Sequence, residues 1–191
     1  MILLTTSREP TANMRSFCKE LANSLSGVQR LTRGKTGLSS IVKKAYELEK
    51  HWVILVERWK GGPGKIRFIE AKPEGPRWVD PTLFIRGIRL RRDQGMGRTK
   101  WSPAGGILFD SSNHPCCVLA SLMASITGLR PSPIGSLAQS KTALMITRCQ
   151  GCSAKMTIVR TDSFAELGPT IYIDRLHYSK KSESLRFVEE S

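Results

Sequence analysis

The sequence is poor in acid and in histidine. Across 191 residues, 16 Asp and Glu stand against 30 Lys and Arg, and the formal net charge is +14. The three histidines (His51, His114 and His177) lie on dissimilar segments and the acids are scattered, so no general acid–base constellation is visible. Long apolar runs are also missing. The longest, around Cys116 to Leu129, is broken by Ser121, Ser125 and Thr127, short of the ~18 residues a membrane span needs. The opening MILLTTSREP has neither a basic region nor a full apolar stretch, so it does not read as a signal peptide and a cytoplasmic location is expected. Five cysteines, an odd number with one adjacent pair, do not make a secreted disulfide framework.

What the sequence has in excess is positive charge, unevenly placed. Residues 1–100 hold 21 Lys/Arg against 9 acids, a net of +12, whereas residues 101–191 hold 9 against 7, a net of +2. Such asymmetry points one part of the molecule at a polyanion. Nucleic acid is the first choice. A membrane surface would call for a basic amphipathic helix, and the cations here fall mostly in strand-like and loop-like segments.

An internal repeat organises the chain. Ile2–Ser7 reads as a short buried strand followed by Pro10, and Ile107–Ser112 followed by Pro115 repeats it 105 residues later. Met14, Phe17, Cys18, Leu21 and Leu25 keep one helical face, closed by Gly27. Val118, Leu122, Ile126 and Gly128 align with Phe17, Leu21, Leu25 and Gly27. A hairpin of Val53–Arg58 and Lys65–Ile69 across six residues is matched by Ala143–Arg148 and Lys155–Val159. Pro81–Ile85 then matches Pro169–Ile173. The expected fold class is α/β, built as two tandem halves over 1–92 and 107–191 with 93–106 as linker. The first half carries an extra helix with Leu38, Ile41, Val42, Ala45 and Leu48; Pro131, Pro133 and Gly135 argue against its counterpart.

The segment LFIRGIRLRR is the strongest site candidate. A bulge at Gly87 lets Leu83, Ile85, Ile88 and Leu90 face the core while Phe84, Arg86, Arg89 and Arg91 face outward. The repeat follows the same broken spacing, with Ile171, Ile173, Leu176 and Tyr178 inward and Tyr172, Asp174 and His177 outward. An aromatic beside three guanidiniums suits an RNA backbone with unpaired bases; the plainer alternative is a charge-protected edge strand. The hairpin tip Arg58-Trp59-Lys60 is a second candidate, with Trp59 either exposed for stacking or folded onto the sheet.

Other chemistry is weakly supported. Gly34-Lys35-Thr36 ends like a phosphate loop, but Gln29 stands where the earlier glycine belongs. Gly61–Lys65 runs into a strand and lacks the following Ser/Thr. Cys149-Gln150-Gly151-Cys152 is a CxxC in a turn, with Cys116, Cys117 or His114 as remaining zinc ligands. The first half closes its equivalent turn without cysteine, so the expectation is no metal, no cofactor and no catalytic residue. An RNA-processing or RNA-modifying enzyme and a basic protein-interaction scaffold are the alternatives.

Thr5, Thr6, Ser7, Arg8, Pro10, Arg15, Phe17 and Leu21, with Arg33-Gly34 and Glu166-Leu167-Gly168-Pro169, give the chain its likeness to a known family. Glu74-Gly75-Pro76-Arg77 is a fainter echo of the last motif. The sequence resembles the Brix-domain family of ribosome-assembly proteins, and in lacking long charged extensions it is similar to the short archaeal members. The resemblance implies two fused halves, each like the anticodon-binding domain of class IIa aminoacyl-tRNA synthetases. It also implies binding of rRNA or its precursor, in company with other assembly proteins. Ala12-Asn13 and Thr170 depart from the family pattern. The contact residues expected are Arg8, Arg15, Arg33, Lys35, Arg58, Trp59, Lys60, Phe84, Arg86, Arg89 and Arg91.

Overall fold

The structure, a computed structural model, describes residues 1–95, 101–136 and 140–179. The buried run Ile2–Thr6 (β1) leads into helix α1 (Ala12–Ser24), whose start is capped by Thr11 Oγ1 accepting from the Met14 amide at 3.3 Å. Met14, Phe17, Cys18 and Leu21 form its buried face, and Gly27 turns the chain at φ 73°. Next come β2 (Val28–Arg30), α2 (Leu38–Glu47), β3 (Trp52–Trp59), β4 (Gly62–Lys72) and β5 (Gly75–Arg89). The remainder runs β6 (Ile107–Phe109), α3 (His114–Thr127), β7 (Pro131–Pro133), β8 (Thr142–Cys149), β9 (Cys152–Arg160) and β10 (Thr170–His177).

All ten strands join one sheet in the order β2-β1-β3-β4-β5-β10-β9-β8-β6-β7. The order reads the same from either end in terms of the two element series, with β5 and β10 meeting antiparallel in the middle. α1 and α3 share one face and one continuous core, from Ile2, Leu4 and Phe17 to Leu119, Leu144, Ile158 and Ile173. α2 covers the opposite face through Ile41, Val42 and Ala45 packed with Leu3, Val53, Ile69 and Ala71. Among the described residues no helix covers that face beyond β5, because the chain after α3 forms the proline-bounded β7 instead. No described helix is long and apolar enough to cross a membrane.

Four expectations change. The hairpin connections are two residues, not six: Lys60-Gly61 and Gln150-Gly151, with bulges absorbing the glycines assigned to the loop. The segment LFIRGIR is no edge strand, since β5 pairs with β4 on one side and β10 on the other. In α3 the expected Leu122 and Ile126 are buried, together with Cys116, Leu119, Ala120 and Met123, whereas Val118 is only half-buried. Tyr178 lies past the end of β10 and is exposed rather than in the core.

The stretch between β5 and β6, expected as a linker, is partly structural. Ala104 is fully buried, its amide donates to the Ser24 carbonyl, and Thr142 Oγ1 donates to the Pro103 carbonyl. Residues 96–100, with Arg98 and Lys100, lie outside the described residues.

Candidate nucleic-acid interface

The parallel strands β2, β1 and β3 release their loops at the same end of the sheet. In α/β sheets the crevice beyond these carboxyl ends is where ligands bind, because loops of separate strands converge there. Hydrogen bonds fasten the loops to one another. The Ser7 amide donates to the Val56 carbonyl at 2.8 Å, and the Arg58 amide donates to Ser7 Oγ at 3.2 Å. Thr11 Oγ1 donates to the Gly61 carbonyl at 2.8 Å, and Thr5 Oγ1 to that of Leu31 at 3.1 Å. The loops after β1 and β2, the first turn of α1 and the β3–β4 tip therefore form one surface.

Seven of the expected contact residues gather there: Arg8, Arg15, Arg33, Lys35, Arg58, Trp59 and Lys60. All are exposed except the half-buried Arg33. Arg15 Nη1 donates to the Pro10 carbonyl at 2.8 Å, and Arg33 Nε to that of Thr36 at 2.9 Å. Burial first and the nearby Arg8 charge second hold the Arg33 pKa below its ordinary value, against a smaller opposing effect of Glu57. The nearest acid of the strand, Glu57, pairs instead with Arg67 at 3.5 Å. Among the described residues none of the six cations forms an ion pair. Like charges held together raise the local positive potential.

The tip settles the two readings of Trp59, which is 64% exposed. Lys60 and Gly61 both have positive φ (46° and 82°), the turn that matches strand twist. Gly64 is required beneath it: a Cβ there would sit 2.1 Å from that of Trp59. The bulged strand thus crosses directly under Trp59 and leaves the indole in solvent.

On the central strand, Arg86 and Arg89 are exposed and Phe84 is half-buried. The ladder to β10 passes from Ile85↔Ile173 to Gly87↔Tyr172, so the irregularity expected at Gly87 is present with Arg86 as the extra residue. Arg91 must be corrected. It begins a 3₁₀ turn (Arg91–Gln94) beyond the strand, its guanidinium lies 3.9 Å from the Trp101 ring centroid, and its amide donates to Glu20 Oε2 at 3.0 Å. Leu90, fully buried, ends the strand and turns the chain back over α1.

The corresponding end of the second series is different. Asp110 pairs with Arg148 at 3.0 Å, and its carboxyl is held below the ordinary range chiefly by the Ser112 hydroxyl, with help from Arg148. Cys149 and Cys152 are joined as a disulfide across the two-residue turn. Cys116 is buried in the core, which pushes its thiol up to about 11. Among the described residues no three His, Cys, Asp or Glu side chains gather to hold a metal.

No protein-family model matches the chain. Curated relatives do. The chain is 34% identical over 95 residues to a probable Brix domain-containing ribosomal biogenesis protein of Pyrococcus horikoshii, covering 50% of this chain and 42% of that protein. It is 31% identical over 96 residues to the protein so described in Aeropyrum pernix, covering 49% and 52%. Over about half its length the chain is similar to archaeal proteins described as probable Brix domain-containing ribosomal biogenesis proteins. These matches span about half the length of the relatives. Two solved archaeal structures share the fold over nearly the whole chain. The crystal structure of a probable ribosomal biogenesis protein from Aeropyrum pernix superposes with a TM-score of 0.74 at 22% identity, covering 94% of this chain and 97% of that one. Mil, an archaeal Imp4-like protein, gives 0.66 at 21% identity, covering 93% and 99%.

Sequence reasoning missed Lys65 and Arg175, which flank Phe84 with their cations 5.1 and 4.3 Å from its ring centroid. Their signal lay in strand register. Lys65 is the partner of Phe84 on β4, and a second irregularity at Asp174 brings Arg175 opposite Phe84 on β10.

Proposed function

We propose that the chain is a non-enzymatic, cytoplasmic RNA-binding factor of ribosome biogenesis. It binds rRNA or its precursor during subunit assembly and rRNA processing, alongside other assembly proteins, and needs no cofactor. Its two halves, 1–92 and 107–191, descend from one duplicated unit like the anticodon-binding domain of class IIa synthetases. The observation that carries the reading is a group of six cations, without ion pairs among the described residues, and an exposed indole at the carboxyl ends of β2, β1 and β3. The names of the archaeal relatives support the assembly role.

Phosphate contacts release counterions, so affinity for an rRNA fragment should fall steeply with salt. Arg8, Arg33 and Arg58 changed together to Ala should lower the steepness of a log Kd against log salt plot by roughly 2–3, at about 0.7–0.9 for each phosphate no longer neutralised. An unchanged slope and affinity would overturn the assignment of this surface.

A further inference from the structure

The tips of the two equivalent hairpins are closed in different ways. Each has a two-residue connection, Lys60-Gly61 or Gln150-Gly151, preceded by an irregularity in the ladder. In each the second residue is a glycine with positive φ, 82° at Gly61 and 71° at Gly151. The pair Trp59↔Gly62 closes the first tip, and Cys149↔Cys152, joined as a disulfide, closes the second. A turn of this length therefore forms in the first series without a covalent link. Nor does the bond hold much of the chain together. Its cysteines are three residues apart in sequence, and a cross-link constrains the unfolded chain less as its loop shortens.

The bond is also within reach. Gln150 and Gly151 are exposed, and both cysteines are half-buried. Exposed disulfides are the labile ones, because an incoming thiolate must reach one of the sulfurs.

One cation is placed at this turn. Arg86, the extra residue of the β5–β10 irregularity, extends across the sheet to the tip of β8 and β9. A Cβ built on Gly151 would lie 2.9 Å from Arg86 Nη1 and 3.7 Å from Cζ and Nη2. The guanidinium thus rests on the residue next to Cys152. Arg86 forms no ion pair among the described residues, whereas Arg148, next to Cys149, is paired with Asp110. A guanidinium near a sulfur favours its thiolate, the form in which sulfur leaves when a disulfide opens. The buried cysteines are of another kind. Burial pushes the Cys18 thiol up to about 12 and that of Cys116 up to about 11.

We propose that Cys149 and Cys152 are an exchange-active pair, opened by a dithiol reductant while the fold stays intact. The reductant's thiolate attacks Cys149 Sγ and forms a mixed disulfide. Cys152 Sγ leaves as a thiolate on the Arg86 side and takes up a proton. The reductant's second thiol then loses its proton and attacks the reductant's own first sulfur. Cys149 leaves in turn and is protonated. Two electrons and two protons pass to the pair, and the dithiol becomes a disulfide. This activity is separate from the RNA reading and stands or falls without it.

The test uses the full chain and dithiothreitol at pH 7, with samples alkylated by iodoacetamide and mapped by mass spectrometry. Cys149 and Cys152 should be blocked in the oxidised chain and alkylated together in the reduced one, with the circular dichroism unchanged. The native chain should be reduced within about tenfold of the rate in urea, where access is complete. A slower native rate, unfolding on reduction, or a bond that does not re-form in excess oxidised dithiothreitol overturns the proposal. Arg86→Gln should slow opening about threefold at low salt, Arg86→Lys should restore it, and the difference should fade at about 1 M salt. An unchanged rate in Arg86→Gln overturns the part given to Arg86.

Discussion

The two ends of the sheet are built alike and charged differently. At one, strands β2, β1 and β3 present six cations without ion pairs among the described residues, and an exposed tryptophan. At the other, β7, β6 and β8 present the Asp110–Arg148 pair and a turn closed by Cys149 and Cys152. Because β5 and β10 are antiparallel, these ends point in opposite directions along the strands. The same framework thus carries both an uncompensated surface and a compensated one, so the framework does not demand the charge.

The largest expected effects concern what the ends have in common. Phe17 and Leu119 are both fully buried in one continuous core. Phe17→Ala should cost about 3–5 kcal/mol and Leu119→Ala about 2–5 kcal/mol, by the transfer and cavity terms of large-to-small changes. Each variant should still unfold in one cooperative denaturant transition. A Leu119→Ala variant that melts in two steps, with the first series intact, would show that the halves are separate cores.

Binding should separate the ends. Arg8, Arg33 and Arg58 replaced by Ala should cost about a hundredfold in rRNA-fragment affinity at low salt. Arg130, Arg148 and Arg160 replaced by Ala should change it by about twofold at most. Equal losses from the two triple variants would erase the distinction. A smaller effect belongs to the indole. Trp59→Ala should weaken single-strand binding by roughly 5- to 100-fold, the range of one stacked base. In the unmodified chain, RNA should protect Trp59 fluorescence from iodide; undiminished quenching in the complex would remove Trp59 from the interface.

Much of this is legible in the residues alone. Helical spacing at Met14, Phe17, Cys18 and Leu21 and the punctuation by Gly27 and Gly128 are local signals, and local physics honours them. The cations at the basic end can be found because their loops follow parallel strands, whose common end is fixed by topology. What cannot be read is whatever depends on partners across the sheet. Gly62-Pro63-Gly64 looks like loop composition, yet it is bulged strand beneath Trp59. A run of arginines looks like an edge, yet β5 is central, with Arg86 and Arg89 exposed. Arg91 joins the outward set only if alternation runs one residue past Leu90, where the strand has already ended. The Arg175–Phe84 contact depends on an irregularity in each strand, and neither alone announces the pairing.

The smallest expected effect asks whether the quiet end can be made slightly basic. Asp110 is held below its ordinary value of 3.8, first by Ser112 and then by Arg148. A carboxyl whose folded pKa is depressed adds stability above its unfolded pKa, and that share is lost as pH falls through the folded value. Asp110→Asn removes the share at neutral pH, so the variant should melt below the unmodified chain at pH 7, with the gap closing below about pH 4. A gap that stays constant down to pH 3 would mean that the charge on Asp110 contributes nothing. The same change releases Arg148, and rRNA-fragment affinity at pH 7 should rise by about twofold, the scale of one exposed ion pair undone. That increase should vanish when Arg148→Ala is added, because the gain comes from the freed guanidinium and not from the lost carboxylate alone.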